Sequence, residues 1–166
     1  MNYDFDNPWS MDRQECEWLT NYCIVNGIMS AIEFGPGNST LALIDGGVLN
    51  LFTFEQDRSR CAEMEKELLS TPACVYCYEA TDCPIQDWFP LDLFFDIALI
   101  DGPTGSSVTP PRINSAMYCY HRCDRLIFHD SKRDFETIKI LIDLGMEPED
   151  SLDSSRGIVV LKQPYL

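Results

Sequence analysis

Positive charge is scarce in this sequence. Twelve Lys and Arg stand against 27 Asp and Glu, a formal net charge of −15. Such a chain has no polybasic footprint for a phosphate backbone, so nucleic acid and anionic membrane surfaces are not expected partners. A cationic ligand is drawn in by the same field. Long apolar runs are also missing, and nothing approaches the roughly 20 residues that span a bilayer. The opening stretch MNYDFDNPWS has neither the basic nor the apolar region of a signal peptide, so a cytoplasmic location is expected. Repeats, low-complexity tracts and long linkers are absent. A length of 166 residues suits one domain, 1–166, with residues 1–28 as a helical N-terminal cap.

Cysteine, in contrast, is plentiful, with eight residues. Cys74 and Cys77, with Cys83, Cys119 and Cys123, invite a zinc or disulfide reading. Cys74 and Cys77 fall in ACVYCYE, which reads as a strand. Residues three apart there point to opposite faces and chelate one ion poorly. Free thiols behaving as small apolar residues are the expectation.

Strand and helix signals alternate along the chain. Asp12 with Glu15 forms a capping-box pattern for a first helix closed at Gly27, with Trp18, Leu19 and Tyr22 on its buried stripe. MSAIEF, LNLFTFE, ACVYCYE, LFFDIALID, DRLIFHD and RGIVVLKQ read as strands. Between them, NSTLALIDG, RSRCAEMEKELLS, RINSAMYCYHR and DFETIKILIDLG read as helices, the last with Phe135, Ile138, Leu141 and Ile142 on its apolar side. This order predicts an α/β fold, a doubly wound, mostly parallel sheet with helices on both faces. Ligands in such folds bind beyond the carboxyl ends of the strands, near the switch point.

Polar clusters stand at four strand ends: Glu33 with Gly35-Pro36-Gly37, Glu55-Gln56-Asp57, Asp101-Gly102-Pro103, and His129-Asp130-Ser131. Glycines 35 and 37 allow a tight turn and a close ligand approach, while Ser39 and Thr40 can cap the following helix or donate to a ligand. Glu55 ends the next strand, where a carboxylate can accept both hydroxyls of a ribose. A nicotinamide dinucleotide would satisfy that placement. Its fingerprint, however, wants a third glycine where this chain has Thr40. A ligand without phosphates and with positive charge suits the acidic composition better.

These residues resemble the class I S-adenosylmethionine-dependent methyltransferases, specifically members with an EFGxGxST first motif. IEFGPGNST resembles the first motif, FTFEQD the acidic second strand, DIALIDGP the fourth strand and LIFHDSKR the end of the fifth, so the likeness covers nearly the whole chain. The resemblance implies a Rossmann-like methyltransferase fold with a seven-stranded-type sheet. It also implies S-adenosylmethionine as cofactor, with Glu33, Gly35, Gly37, Ser39, Thr40, Glu55, Gln56 and Asp101 around it and Ala80, Thr81 and Asp82 near the adenine. Arg112 resembles an arginine that follows the fourth-strand loop in the family.

A sulfonium methyl is already activated, so transfer needs an aligned nucleophile and, for a hydroxyl acceptor, a base. Asp101, His129 and Asp130 are the candidates for that chemistry. Asp101 and Asp130 emerge at adjacent strand ends and could instead hold magnesium, a hard cation that takes oxygen ligands. Ser131 is a poor third ligand, and the metal-free reading is preferred. The expected activity is methyl transfer to a small molecule, at a hydroxyl oxygen, with a second copy of the chain as a candidate for completing the pocket. A cofactor-binding module without catalysis and a nicotinamide-dependent oxidoreductase are the alternatives.

Overall fold

In β1 (Ser30–Phe34) alternate residues go to opposite faces. Ile32 and Phe34 join one apolar cluster, and Ala31 joins a second. β4 (Phe95–Ile100) divides the same way, with Ala98 and Ile100 on the first side and Ile97 and Leu99 on the other. Nearly continuous apolar strands of this kind are what a sheet covered on both faces requires. The computed structural model describes residues 2–78, 93–102, 110 and 112–164.

The remaining strands are β2 (Asn50–Glu55), β3 (Ala73–Cys77), β5 (Cys123–His129), β6 (Glu147–Leu152) and β7 (Ile158–Lys162). They form one seven-stranded sheet in the order β3-β2-β1-β4-β5-β7-β6. β1 to β5 pair in parallel, and β7 runs antiparallel to both β5 and β6. The expected fold class is therefore present, with the antiparallel pair at one edge.

Among the described residues there are five helices: α1 (Arg13–Asn26) precedes β1, and α2 (Asn38–Asp45), α3 (Arg58–Glu67), α4 (Ile113–Tyr120) and α5 (Phe135–Asp143) lie between successive strands. α1 and α2 bury Cys16, Leu19, Tyr22, Cys23, Ala42 and Leu43 against one face of the sheet. α4 and α5 bury Ala116, Tyr118, Cys119, Ile138 and Leu141 against the other. The capping box at Asp12 forms as expected: Asp12 accepts from the Glu15 N–H at 2.9 Å, and Glu15 Oε2 accepts from the Asp12 N–H at 3.0 Å. No helix among the described residues is long and apolar enough to cross a membrane.

Three expectations change. β6 carries the sequence EPEDSL, in which proline and acidic residues hide the strand signal. It is tolerated because it lies at the sheet edge, exposed in all but its last residue, where charge and proline also discourage further pairing. Phe135 and Ile142 are 65% and 40% exposed and leave Ile138 and Leu141 to seat α5. Cys61 and Cys77 form a disulfide between α3 and the end of β3, where free thiols were expected. Pairing depends on which helix covers the edge strand, and cysteine spacing does not carry that. Cys74 is free and exposed, while Cys16, Cys23, Cys119 and Cys123 are free and buried. Cys83 lies outside the described residues.

Candidate active site

The strand order reverses between β1 and β4, and a cavity of about 650 Å³ opens at the carboxyl ends of the strands there. This is the crevice in which open α/β sheets take ligands. Its floor is the loop after β1. Gly35 has φ +88°, and a Cβ there would stand 3.3 Å from the Asp101 carbonyl oxygen. Glycine is thus required by the backbone, where β1 and β4 come together. Gly37 is different. Its backbone is extended, with φ −176°, and a Cβ would sit 3.5 Å from Arg60 Nη2 and 3.7 Å from Ser10 Oγ, both residues of the cavity wall. The side chain that Gly37 lacks is what leaves this part of the cavity open.

Glu33 lies beneath that loop and is fully buried. Its two carboxylate oxygens accept from Ser39 Oγ at 2.6 Å and Thr40 Oγ1 at 2.8 Å, while Thr40 Oγ1 accepts from the Gly37 N–H at 3.0 Å. Burial raises the Glu33 carboxyl pKa to about 7, against the lowering effect of the two hydroxyls. Glu33 and Thr40 therefore tie β1 to the first turn of α2 and shape the glycine loop from behind. Neither lines the cavity, whereas Ser39 does.

At the end of β2, Phe54, Glu55, Gln56 and Asp57 form the adjoining wall, with Arg60 and Tyr78 beside them. Glu55 Oε1 accepts from the Asp57 N–H at 2.9 Å, and Oε2 lies 3.1 Å from Arg60 Nε. Arg60 also donates through Nη2 to the Pro36 carbonyl at 2.6 Å. The guanidinium bridges the glycine loop and the Glu55 carboxylate. Ala80, Thr81 and Asp82 lie outside the described residues.

The far wall is built on a buried chain of charges. His129 is fully buried behind the cavity, with Nε2 3.1 Å from Glu15 Oε2 and Nδ1 3.0 Å from Asp101 Oδ2, the latter contact off the line of a straight hydrogen bond. Burial alone would favour neutral imidazole. Contacts with Asp101 and Glu15 outweigh it and raise the pKa from 6.5 to about 9, so His129 is a cation at neutral pH. Burial acts to raise the Glu15 carboxyl pKa, but the hydrogen bonds with His129 and Ser154 bring it down to about 2. Asp101 Oδ1 meets Arg112 Nη2 at 2.9 Å, and Arg112 Nη1 donates to Asp134 Oδ2 at 2.8 Å and to the His129 carbonyl at 2.8 Å. Arg112, whose role the sequence left open, clamps the ends of β4 and β5 together.

Asp101, Gly102, Arg112, Asp130 and Arg133 line this side of the cavity. Asp130 has φ +70°, and its Oδ2 lies 3.5 Å from Arg133 Nη1. The mouth is crossed by the segment before α1, through Asn7, Trp9, Ser10 and Met11. Asn38 holds that segment by accepting from the Asp4 N–H at 2.8 Å and donating to the Asp4 and Met11 carbonyls at 2.9 Å. Arg156 donates to the Trp9 carbonyl at 3.0 Å and to the Pro8 carbonyl.

Of the residues singled out from the sequence, Gly35, Gly37, Ser39, Glu55, Gln56, Asp101 and Asp130 thus converge on one cavity, while Glu33, Thr40 and His129 stand behind its walls. Arg60, Tyr78 and Arg156 were missed as cavity residues, whereas segment 7–11 belongs to residues 1–28, which were read as an N-terminal cap. Glu15 was read only as a helix cap.

No family model and no curated protein sequence matches the chain. Solved structures do. A Podospora anserina methyltransferase with bound S-adenosylhomocysteine superposes with a TM-score of 0.73 at 11% identity, over 96% of this chain and 82% of that one. The chain has a methyltransferase fold. An O-methyltransferase from Bacillus cereus in complex with S-adenosylhomocysteine gives 0.72 at 14% identity, over 94% of this chain and 84% of that one. An N-methyltransferase from Bradyrhizobium japonicum, also bound to S-adenosylhomocysteine, gives 0.65 at 12% identity, over 96% and 90%. At these identities the methyltransferase likeness is one of fold, spread over acceptors of different chemistry.

Proposed function

We propose that the protein is an S-adenosylmethionine-dependent methyltransferase acting on a small molecule at a hydroxyl oxygen. The observation that carries this reading is the cavity at the strand-order switch, floored by Gly35 and Gly37 and walled by Glu55, in a fold shared with S-adenosylhomocysteine-bound methyltransferases. The cofactor would supply an activated methyl group on a sulfonium. Gly37 would leave room for its amino-acid part, and Glu55 would accept from ribose hydroxyls. Each Glu55 oxygen keeps lone-pair capacity beyond its present contact, although Arg60 competes for one of them.

The nicotinamide alternative is disfavoured at the start of α2. There the Ser39 and Thr40 hydroxyls both turn inward to Glu33, and a carboxyl group occupies the space beneath the helix terminus where a pyrophosphate would need positive potential.

The placement of His129 alters the expected chemistry. A buried imidazolium held by two carboxylates has no free lone pair and cannot receive the acceptor's proton. It is a positioning residue, orienting Asp101. Asp130 lines the cavity, its carboxylate meets Arg133 Nη1 at 3.5 Å, and it is the better proton acceptor. As the acceptor oxygen bonds to the methyl carbon and the carbon–sulfur bond breaks, the hydroxyl proton would pass to Asp130 or through it to water. Trp9, 79% exposed at the mouth, offers an aromatic face to the acceptor.

Asp101 and Asp130 do not fit magnesium. Both Asp101 oxygens already face cationic groups, Arg112 at 2.9 Å and His129 at 3.0 Å, which would repel a second positive charge. Turnover on a hydroxyl acceptor is accordingly expected to be indifferent to chelator.

Calorimetric titration with S-adenosylhomocysteine and, separately, with NAD tests the reading. Saturable binding of the first and none of the second is expected. The reverse order of affinity would replace it with the oxidoreductase reading, and binding with no transfer to any hydroxyl acceptor would favour a non-catalytic module.

A further inference from the structure

The Cys61–Cys77 disulfide lies directly behind the cavity wall. Arg60 precedes Cys61 and Tyr78 follows Cys77, and both of these neighbours line the cavity. Cys77 is the strand partner of Glu55, and the Tyr78 N–H donates to the Glu55 carbonyl at 3.0 Å. One covalent bond therefore joins the two segments that place Glu55, Arg60 and Tyr78. Within α3 only Cys61 and Met64 are buried, so little apolar packing shares the task of holding its first turn against β3. β3 is the edge strand, and Cys77 is exposed there while Cys61 is fully buried. A reductant can reach the bond from solvent, and what it releases reaches the cavity.

We propose that this disulfide is a redox-sensitive clamp on the ligand cavity, and the proposal rests on the cofactor reading above. With the bond intact, Arg60 and Tyr78 are held in register with Glu55 and the wall is pre-organised for ligand. A dithiol reductant opens it in two steps. One thiolate attacks the exposed Cys77 sulfur, the S–S bond breaks, and Cys61 leaves and takes a proton. The reductant's second thiolate then displaces Cys77, which leaves as a thiol, and the reductant becomes a cyclic disulfide. Two electrons pass from reductant to cystine. The first turn of α3 and the end of β3 then move independently, and affinity for the nucleoside end of the ligand falls.

The test compares S-adenosylhomocysteine binding by the oxidised protein and by protein reduced with dithiothreitol, with thiols counted by mass spectrometry and folding followed by circular dichroism. Reduced protein is expected to stay folded and to bind about fivefold more weakly or worse, the lower end of ordinary coupling between sites, with recovery on reoxidation. By reciprocity, saturating S-adenosylhomocysteine should raise the dithiothreitol concentration needed for half-reduction by the same factor. Cys77→Ser should bind like the reduced protein and ignore dithiothreitol, while Cys74→Ser, which removes the free exposed thiol of the same strand, should respond as wild type. Equal affinity in both redox states, or a response that survives in Cys77→Ser, overturns the clamp and leaves the cofactor reading standing. Binding by neither form overturns both.

Discussion

Glu15 and His129 stand 114 positions apart in the sequence and 3.1 Å apart in the fold, carboxylate oxygen against Nε2. The contact joins α1 to the end of β5 and, through Asp101 and Arg112, continues to Asp134. Alternating charges along this chain let five ionisable groups be buried or half-buried without leaving any of them unpaired.

The His129 pKa is raised from 6.5 to about 9 in the fold. Its stabilisation is therefore full below pH 6.5 and is lost as pH rises through about 9. Urea unfolding of wild type should show a stability loss across this window on the order of 3 kcal/mol, one pKa unit being about 1.4 kcal/mol. His129→Gln should be less stable at pH 6 and should lose less stability than wild type across the same window. A wild-type profile with no loss between pH 6.5 and 9 would mean that the imidazole is buried neutral.

Arg112 holds two carboxylates, one of them, Asp134, fully buried. Arg112→Met would leave Asp134 to the longer contact with Arg133 Nε at 3.4 Å, at a cost of up to about 3–5 kcal/mol at neutral pH. Adding Asp134→Asn should restore part of that loss, because the stranded charge is gone. Arg112→Met alone as stable as wild type would show that the clamp contributes nothing.

Glu33 titrates the opposite way from an ordinary surface carboxylate. Burial raises its pKa from 4.5 to about 7, so the fold favours the protonated form and loses stability as pH climbs between those values. Glu33→Gln should remove that loss while keeping an acceptor for one of the two hydroxyls. Because Glu33 stands behind the cavity, S-adenosylhomocysteine affinity should change by less than about threefold, well under the tenfold that corresponds to 1.4 kcal/mol. A pH profile identical to wild type, or a large affinity loss, would place the carboxylate elsewhere.

Most of the sheet was legible because β1, β2, β4 and β5 are apolar enough to be buried on both faces and end in polar clusters. β6 was not, since its six residues include a proline and three acids and owe their strand geometry to β7 beside them. At the site, the local motif carried Gly35, Gly37 and Glu55, whose places follow from strand ends. Glycine is demanded at 35 by the backbone and at 37 by open space, a difference that only the fold displays. Partners across the chain carried no local signal. Glu15 looks complete as a helix cap, His129 looks like an available base, and the match of Cys61 with Cys77 depends on α3 lying over an edge strand.

The central claim, that the cavity over the glycine loop binds S-adenosylmethionine, is tested most directly by titrating S-adenosylhomocysteine into wild type and Gly37→Val. A Cβ at position 37 would meet no atom closer than 3.5 Å, and the added side chain projects toward Arg60 and Ser10 in the cavity. The circular dichroism spectrum and unfolding midpoint should be unchanged, with affinity reduced by about tenfold or more, which is about 1.4 kcal/mol. A folded Gly37→Val protein that binds S-adenosylhomocysteine as tightly as wild type would contradict that claim.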